Sequence, residues 1–245
     1  MKPDSMIIYR REEVSLIKIK KQILALDTKY QTPYYIIKGD YLGETVFVTA
    51  GIHGNEIASI RAAKQLLDNL KKGKIVIENG TLILVPIVNQ RAYKKRVRGI
   101  PDLNRTFPKK SHDSPKHQLS KELFALAQKK NPNWYIDLHE ANGLSRINPK
   151  RLGQTLITNS DNMARSAVIR IIEKMNSNIP QVQRQFTARF KHKKGSGRTA
   201  ASRILHAKAI TVETCWSLPL SKRIQYQTQI IHYILKEAHL INCLA

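Results

Sequence analysis

The chain has 245 residues, of which 42% are hydrophobic, so it is long and apolar enough to bury a full core. That composition excludes a disordered protein, and 11 glycines with 10 prolines exclude a collagen-like or low-complexity chain. Forty-two lysines and arginines against 18 acidic residues give a formal net charge of +24. Such an excess predicts an anionic substrate, partner or surface, because the summed field attracts anions.

The sequence also carries signals about compartment. Two cysteines, Cys215 and Cys243, are too few for a disulfide framework and fit a reducing environment. The first 16 residues contain no apolar segment of the signal-peptide type, since charges interrupt them. No uncharged apolar stretch approaches the ~20 residues that a membrane span needs. We therefore expect a cytoplasmic protein without a membrane span.

Apolar, β-rich runs alternate with helical patterns along the chain, which predicts an α/β fold with a sheet covered on both faces. The predicted strands, in chain order, are Tyr34–Lys38, Thr45–Ala50, Thr81–Ile87, Trp134–Leu138, Gln154–Thr158 and Ala209–Glu213. The predicted helices are Glu56–Leu70, Lys116–Lys130, Met163–Asn176 and Ser221–Leu244. The polar segment Arg91–Pro115 is predicted to be a long surface loop, and the basic stretch Phe190–Arg198 a mobile one. In such folds functional groups gather at the carboxyl ends of strands.

The most informative motif is GIHGNE, which begins at Gly51, where a predicted strand ends and a helix begins. His53 and Glu56 are three residues apart, so in a first helical turn their side chains leave on one side. An imidazole and a carboxylate so placed form half of a zinc site. The alternative is a helix start capped by Asn55, with a histidine there by chance.

A third ligand is available in the run WYIDLHE, where His139 directly follows a buried strand. Taken alone, a histidine at this place is typical of a core residue. Together, His53, Glu56 and His139 form a set of two histidines and one glutamate that leaves zinc an open coordination position for water. Structural zinc sites instead favour cysteines and close all four positions.

A hydrolytic zinc site also needs a general base, and Glu213 ends the apolar strand AITVE. A carboxylate in a nearly apolar strand needs a physical reason, since burying a charge is costly. The alternative is a salt bridge to one of the 42 basic residues.

The segment RGIPDLNRTFP supplies groups that would bind a substrate. Asn104 and Arg105 offer an amide donor and a planar fork that suit a carboxylate. Arg98, or alternatively Arg96, could polarise the scissile carbonyl and stabilise an oxyanion. Asp102 could accept a hydrogen bond from the far nitrogen of a zinc-bound histidine. The alternative is a solvated basic loop.

The motifs GIHGNE, DLNR followed by FP, DLHE and TVET, in this order, resemble those of the succinylglutamate desuccinylase/aspartoacylase family, which is related to zinc carboxypeptidases. They extend from Gly51 to Glu213, most of the chain. The resemblance implies that His53, Glu56 and His139 bind one zinc ion and that Glu213 is the general base.

The same resemblance assigns the remaining groups. Asn104 and Arg105 match the family's carboxylate-binding pair, and Asp102 matches the partner of the first ligand histidine. Arg98 corresponds best to the oxyanion arginine, with Arg96 as the alternative because the spacing to DLNR varies in the family.

The resemblance implies a mixed, mostly parallel β-sheet flanked by helices, as in zinc carboxypeptidases. The chain departs from many relatives at Asn89-Gln90, where they have Asn-Pro, and at Lys109, where they have glycine. Only Thr214–Ala245 follow Glu213, so we expect residues 1–245 to form a single zinc hydrolase domain without the C-terminal β-domain of aspartoacylase. The expected activity is hydrolysis of an amide bond in a small or peptidic, acidic substrate that carries a carboxylate, by a deacylase or carboxypeptidase-like enzyme.

The charge supports an alternative of a different class, a nucleic-acid- or polyanion-binding protein on an inactive hydrolase scaffold. The basic clusters of the chain are Lys18–Lys21, Lys71–Lys74, Lys94–Arg98 and Lys191–Lys194. These clusters are scattered and lack interleaved aromatic residues for base stacking, so the enzyme is favoured. An enzyme that acts on an anionic polymer would combine the two hypotheses.

Overall fold

The computed structural model describes residues 18–241. The N-terminal stretch that lacks a signal segment, Cys243 and the end of the last predicted helix lie outside the described residues.

An eight-stranded mixed sheet forms the centre of the domain. Its strands are β1 (Lys18–Leu24), β2 (Thr32–Lys38), β3 (Tyr41–Ala50), β4 (Asn79–Val85), β5 (Trp134–Ala141), β6 (Thr155–Thr158), β7 (Thr187–Phe190) and β8 (Lys208–Cys215). They lie in the order β1-β2-β4-β3-β5-β8-β6-β7. The pairs β3–β4, β3–β5, β5–β8 and β6–β7 are parallel, whereas β1–β2, β2–β4 and β6–β8 are antiparallel.

Residues 18–241 also form six helices: α1 (Ile57–Lys71), α2 (Gln90–Lys95), α3 (Gln118–Lys130), α4 (Arg165–Asn176), α5 (Gly197–Ile204) and α6 (Leu220–Glu237). The apolar faces of α1, α4 and α6 form one core with one side of the sheet, and α3 and α5 contribute to a second core on the other side. The predicted α/β class, with helices on both faces of a mixed sheet, is confirmed. No helix in residues 18–241 combines the length and apolar character needed to span a membrane.

Several local predictions were wrong. Strands β1 and β7, at the two edges of the sheet, were not predicted. The predicted loop Arg91–Pro115 begins inside α2 and contains a short 3₁₀ turn, Leu103–Arg105, with buried residues. The last helix ends at Glu237, because His239 adopts a left-handed conformation (φ 54°) that stops it.

The basic stretch predicted to be mobile is packed in its second half. Phe190 is half-buried at the end of β7 and residues 191–194 are exposed, but Gly195–Arg198 are buried and lead into α5. Gly195 has φ +78°, and a Cβ there would lie 2.6 Å from the carbonyl oxygen of Arg105. The glycine therefore serves a close backbone contact rather than mobility.

Three adjacent parallel strands position the site. Strands β3, β5 and β8 run side by side, so their carboxyl ends meet at one edge of the sheet. His53 follows β3, while His139 and Glu213 are register partners near the ends of β5 and β8.

Candidate metal centre and substrate cavity

His53 and Glu56 lie in the turn between β3 and α1. Their side chains meet with 2.6 Å between His53 Nδ1 and Glu56 Oε1. Glu56 is the N-cap residue of α1 but makes no capping hydrogen bond, because its carboxylate is held by the histidines instead. Gly54 lets this turn approach α2, since a Cβ there would lie 2.0 Å from the carbonyl carbon of Ala92.

His139 completes the cluster from β5. Its Nδ1 is 2.7 Å from Glu56 Oε2, and the rings of His53 and His139 are 5.0 Å apart at their centroids. The opposite nitrogen, Nε2, lies 2.9 Å from Asp137 Oδ2 and 3.1 Å from the amide nitrogen of Asn104. All three predicted ligand residues are thus buried and converge on one point.

The cluster is strongly coupled electrostatically. Burial alone would raise the pKa of Glu56, but the charges of His139 and His53 outweigh it and lower that pKa to about 2. Burial alone would lower the pKa of His139, but the charges of Asp137 and Glu56 outweigh it and raise that pKa well above its usual value. Glu56 is therefore held ionised between the two imidazoles.

These residues fit a metal ion. The ligand atoms that His53, Glu56 and His139 offer all lie within 4.8 Å of one another. Two imidazoles and one carboxylate are a donor set that zinc takes in catalytic sites. The ring nitrogens that face away from Glu56 contact Asp102 and Asp137, an arrangement that fixes the tautomer of a metal-binding histidine. The residues form a candidate metal site.

Glu213 lies beside this cluster on β8. Its Oε2 atom is buried and has no hydrogen-bond partner among the described residues. Burial raises the pKa of Glu213 to about 7, against the opposing charge of His139. No ion pair within residues 18–241 neutralises it, so the salt-bridge alternative has no support in the structure.

The segment from Arg98 to Arg105 forms one wall of the cavity that contains this cluster. Asp102 Oδ1 is 3.0 Å from His53 Nε2, the contact expected from the sequence, and Asp102 Oδ2 accepts a hydrogen bond from Arg98 Nη2 at 2.9 Å. Arg98 Nη1 also lies 3.7 Å from Glu56 Oε1. Arg96 instead stacks on the ring of Tyr93, 4.2 Å from its centroid.

Asn104 and Arg105 differ in how free they are. Asn104 is buried, its amide nitrogen faces His139, and its amide oxygen accepts a hydrogen bond from the Gly197 N–H at 3.1 Å. Arg105 is 41% exposed and donates from Nη1 to the carbonyl oxygen of Asn104 at 2.5 Å. The guanidinium of Arg105 is therefore the more accessible of the two groups.

These side chains surround one cavity of about 280 Å³. Its lining includes His53, Glu56, Arg98, Asn104, Arg105, His139, Leu152, Ile157, Lys191, Lys193, Arg198, Thr211, Glu213 and Trp216. The predicted ligands, base and arginines thus share one cavity, and Asp102 supports it from behind. Sequence reasoning missed two groups here, Asp137 behind His139 and the buried Arg198.

A sequence model described as the succinylglutamate desuccinylase/aspartoacylase catalytic domain matches residues 42–233, more than half of the chain. The chain belongs to this family. A succinylglutamate desuccinylase from Photorhabdus laumondii is 32% identical over 110 residues, which cover 40% of this chain and 33% of the relative.

Solved structures of low sequence identity share the fold of this family member. One is the mDAP-bound form of Helicobacter pylori Csd4, described as a D,L-carboxypeptidase, with a TM-score of 0.68 and 20% identity over 81% of this chain and 51% of Csd4. Another is a succinylglutamate desuccinylase/aspartoacylase from Rhodobacter sphaeroides, with a TM-score of 0.66 and 16% identity over 94% of this chain and 69% of that one. The matches span about a third of the curated desuccinylase and about half of Csd4.

Proposed function

We propose that this protein is a zinc-dependent hydrolase that cleaves an amide bond in a small or peptidic substrate carrying a carboxylate. The observation that carries this proposal is the buried cluster of His53, Glu56 and His139, which shares one cavity with the unpartnered carboxylate of Glu213. The family supports it, because its name is that of enzymes that remove acyl groups from amino acids.

His53, Glu56 and His139 would hold the zinc ion. Zinc in such a site supplies Lewis-acid chemistry, which polarises a carbonyl group and lowers the pKa of water. The protein's own contribution is to orient the ligands: Asp102 and Asp137 hold the far nitrogens of the two imidazoles.

Glu213 would act as the general base. Its carboxylate takes a proton from the attacking water as the water oxygen bonds to the amide carbon, and it returns the proton to the leaving nitrogen as the C–N bond breaks. Its Oε2 atom, which has no hydrogen-bond partner among residues 18–241, is free to do this, and burial raises the pKa of Glu213 to about 7, close to neutral pH.

Two arginines would each bind one negatively charged group, the oxyanion in one case and the substrate carboxylate in the other. Arg98 lies beside the metal cluster, 3.7 Å from Glu56, where an oxyanion would form, which favours it over Arg96. Arg105 is exposed to a similar extent, 41% against 46% for Arg98, but forms no ion pair with Glu56 among the described residues, so it would hold the carboxylate of the substrate.

Deacylase and carboxypeptidase chemistry both fit this arrangement, because acyl amino acids and peptide C-termini each present a carboxylate next to an amide. The curated desuccinylase favours the first, and the D,L-carboxypeptidase named among the neighbours illustrates the second. We further propose that residues 1–245 act as one catalytic unit.

The test is a screen of N-acyl amino acids and short peptides with the zinc-loaded protein, combined with metal analysis. We expect about one zinc per chain, hydrolysis of free-acid substrates and poor turnover of their amidated or esterified counterparts. His53→Ala should lose both metal and activity, whereas Arg170→Met, at an exposed ion pair on α4, should keep both. Stoichiometric zinc retained in the His53→Ala protein would contradict the ligand assignment.

A further inference from the structure

A second cavity adjoins the catalytic one and shares Arg98 with it. Its volume is about 580 Å³, within the range of about 300–1,000 Å³ that ligand pockets occupy. Arg98 lines both cavities, whereas the candidate metal cluster and Glu213 line only the catalytic one. None of the other residues of the second cavity has a part in the proposed reaction.

The segment after α2 forms a folded wall of the second cavity. The Val97 N–H donates to the carbonyl oxygen of Ala92 at 3.1 Å, which turns the chain back over α2. Gly99 has φ +101°, and a Cβ there would lie 3.3 Å from the side-chain nitrogen of Asn89. The side-chain oxygen of Asn89 accepts the Ala92 N–H at 3.0 Å. These contacts hold the segment against the helix, so the cavity is a built feature of the fold.

The charged lining of the second cavity is entirely cationic. Arg91, Lys95 and Arg98 carry its formal charges, and no acidic side chain among residues 18–241 lines it. Burial lowers the pKa of His117, which also lines the cavity, so this ring is neutral at pH 7. Its Nδ1 accepts the Leu119 N–H at 3.1 Å, which leaves the proton of the neutral ring on Nε2 as a donor. Such a lining favours a bound anion.

Most of the remaining lining is apolar. Val97 and Ile100 are exposed large apolar side chains, and Pro101 and Leu103 line the same cavity. Exposed apolar side chains that are grouped in a cavity are typical of a binding site. The occupant should therefore combine anionic groups with apolar ones.

The aromatic part of the lining favours a peptide over a nucleic acid. The Lys29 ammonium and the Arg91 guanidinium lie 5.3 and 5.8 Å from the centroid of the Tyr30 ring. The His117 ring contacts that of Tyr30 in an edge arrangement, with 4.8 Å between their centroids. Single-stranded nucleic acids stack their bases on aromatic rings, and the Tyr30 ring already has these neighbours. A peptide with acidic side chains needs no such stacking.

The position of Arg98 indicates which part of a substrate would reach the second cavity. Arg98 is proposed to bind the oxyanion, which forms on the scissile carbonyl, and this carbonyl belongs to the acyl part of the substrate. The released amino acid lies towards Arg105, which would hold its carboxylate. A chain that continues past Arg98 into the second cavity is therefore the acyl part.

We propose that the second cavity binds the acyl part of the substrate and that this part is an acidic peptide segment. The inference rests on the proposed function and names its substrate class. The substrate is a peptide, because the acyl group of an N-acetyl or N-succinyl amino acid is too small to occupy a cavity of this size. Arg91 and Lys95 are specificity-determining residues, since they distinguish an acidic side chain from its neutral isostere.

The experiment varies the acyl part while the released residue stays alanine. We would measure kcat/KM of the zinc-loaded protein for N-acetyl-glutamyl-glutamyl-alanine, N-acetyl-glutaminyl-glutaminyl-alanine and N-acetyl-alanine. The acidic tripeptide should be preferred over its neutral isostere by on the order of 10- to 100-fold, as expected for charged hydrogen bonds. N-acetyl-alanine should be a poorer substrate than either tripeptide.

Two double variants assign this preference to the cavity. Arg91→Gln/Lys95→Gln should remove most of it. Lys94→Gln/Lys110→Gln removes the same charge at exposed residues that line neither cavity, and it should retain the preference. Circular dichroism checks that both proteins are folded. An unchanged preference in the folded Arg91→Gln/Lys95→Gln protein, or N-acetyl-alanine turned over as well as the acidic tripeptide, would overturn the inference and leave the proposed function intact.

A binding measurement separates failure of this inference from failure of the proposed function. By calorimetry, N-acetyl-glutamyl-glutamine amide should bind the wild-type protein at least about tenfold more tightly than N-acetyl-glutaminyl-glutamine amide, and Arg91→Gln/Lys95→Gln should abolish the difference. Equal binding of the two amides would overturn the inference. Tighter binding of a single-stranded oligonucleotide, lost in the same variant, would assign the cavity to nucleic acid and also overturn it. Absence of any hydrolysis would remove the proposed function, and the calorimetric comparison would still decide whether the cavity takes an acidic peptide.

Discussion

At the scale of single residues, the site is built from carboxylates with different environments. Asp102 accepts hydrogen bonds from His53 and Arg98, and these outweigh burial and hold its pKa well below its usual range. Glu213 has no such donors, so burial dominates and raises its pKa to about 7. Acids whose environments push their pKa values apart are suited to separate roles, one structural and one in proton transfer.

The pH dependence of the reaction should reflect the deprotonation of Glu213. A base works only when deprotonated, so activity is lost as pH falls through its pKa in the enzyme. Burial moves this pKa up from 4.5 towards about 7, and a bound cation would move it part of the way back. We expect the apparent pKa in the profile of kcat/KM to lie between 4.5 and about 7, and kcat/KM to fall about tenfold per pH unit below it. Measurement of kcat/KM from pH 4 to 9 tests this, and a flat profile over the acidic range would contradict it.

The variant Glu213→Gln separates the base from the metal site. It should keep zinc, because the carboxylate is not a ligand, and should lose about 100- to 10,000-fold in turnover. Metal analysis and single-turnover kinetics check the two parts. Full activity in Glu213→Gln would assign proton transfer to another acid.

The two arginines of the wall should differ in their kinetic signatures. If Arg105 holds the carboxylate of the bound substrate, as we propose, Arg105→Ala should mainly raise KM. If Arg98 stabilises the oxyanion, as we propose, Arg98→Ala should mainly lower kcat, on the order of 100-fold. Steady-state kinetics on one good substrate distinguish them. A change in KM alone in both variants would contradict the oxyanion role assigned to Arg98.

The sequence predicted most of the cavity but not all of it. The candidate ligands and Glu213 were visible because each lies at, or a few residues after, the end of an apolar strand. Asp137 carried a usable signal: it lies two residues before His139 in a strand, so both side chains point to the same face. Arg198 carried no such signal, since it closely follows a run of exposed lysines and is buried only in the folded structure.

At the scale of elements, a buried ion pair joins the strand of His139 to two helices. Glu140 on β5 accepts the Ala58 N–H of α1 at 2.7 Å and lies 2.5 Å from Arg223 of α6. The Glu140 side chain has no exposure, and that of Arg223 is 15% exposed. Together these contacts fix α1, and with it Glu56, relative to β5.

Arg223→Met should therefore be strongly destabilising, because it leaves Glu140 buried without a counter-charge. We expect a loss of about 3–5 kcal/mol in the free energy of unfolding. Arg170→Met provides a matched control, since its pair with Glu237 is 52% exposed on the arginine side and should contribute about 0–1 kcal/mol. Urea unfolding followed by circular dichroism measures both. Equal losses in the two variants would refute the role assigned to the buried pair.

Element prediction failed where burial was weakest. Strands β1 and β7 are the edges of the sheet, and edge strands carry charged side chains that obscure the apolar alternation. In β1 the sequence KIKKQIL resembles a basic cluster, yet it pairs in register with all of β2. The central strands were all predicted, because strands buried on both faces have nearly continuous apolar runs that are easily recognised.

At the scale of the whole molecule, part of the positive charge lies at the cavity that contains the candidate metal cluster. Lys191 and Lys193 line the cavity, and the charge of Arg105 lowers the pKa of Lys193, which indicates that cations are crowded there. Crowded cations favour a state with a bound anion. A nucleic acid remains an alternative partner for the rest of the charge, and salt-dependent binding to it would support that hypothesis.

The exposed lysines at this rim should steer acidic substrates into the cavity. If they do, kcat/KM for an acidic substrate falls as ionic strength rises, because the Debye length decreases from about 10 Å at 0.1 M to about 3 Å at 1 M. Replacing Lys191, Lys193 and Lys194 with glutamine should flatten this dependence for acidic substrates and leave neutral ones unchanged. The same triple substitution at Lys71, the last residue of α1, and at Lys72 and Lys74, which follow it, serves as the charge-matched control. An unaltered salt profile in the rim variant would show that these lysines take no part in substrate capture.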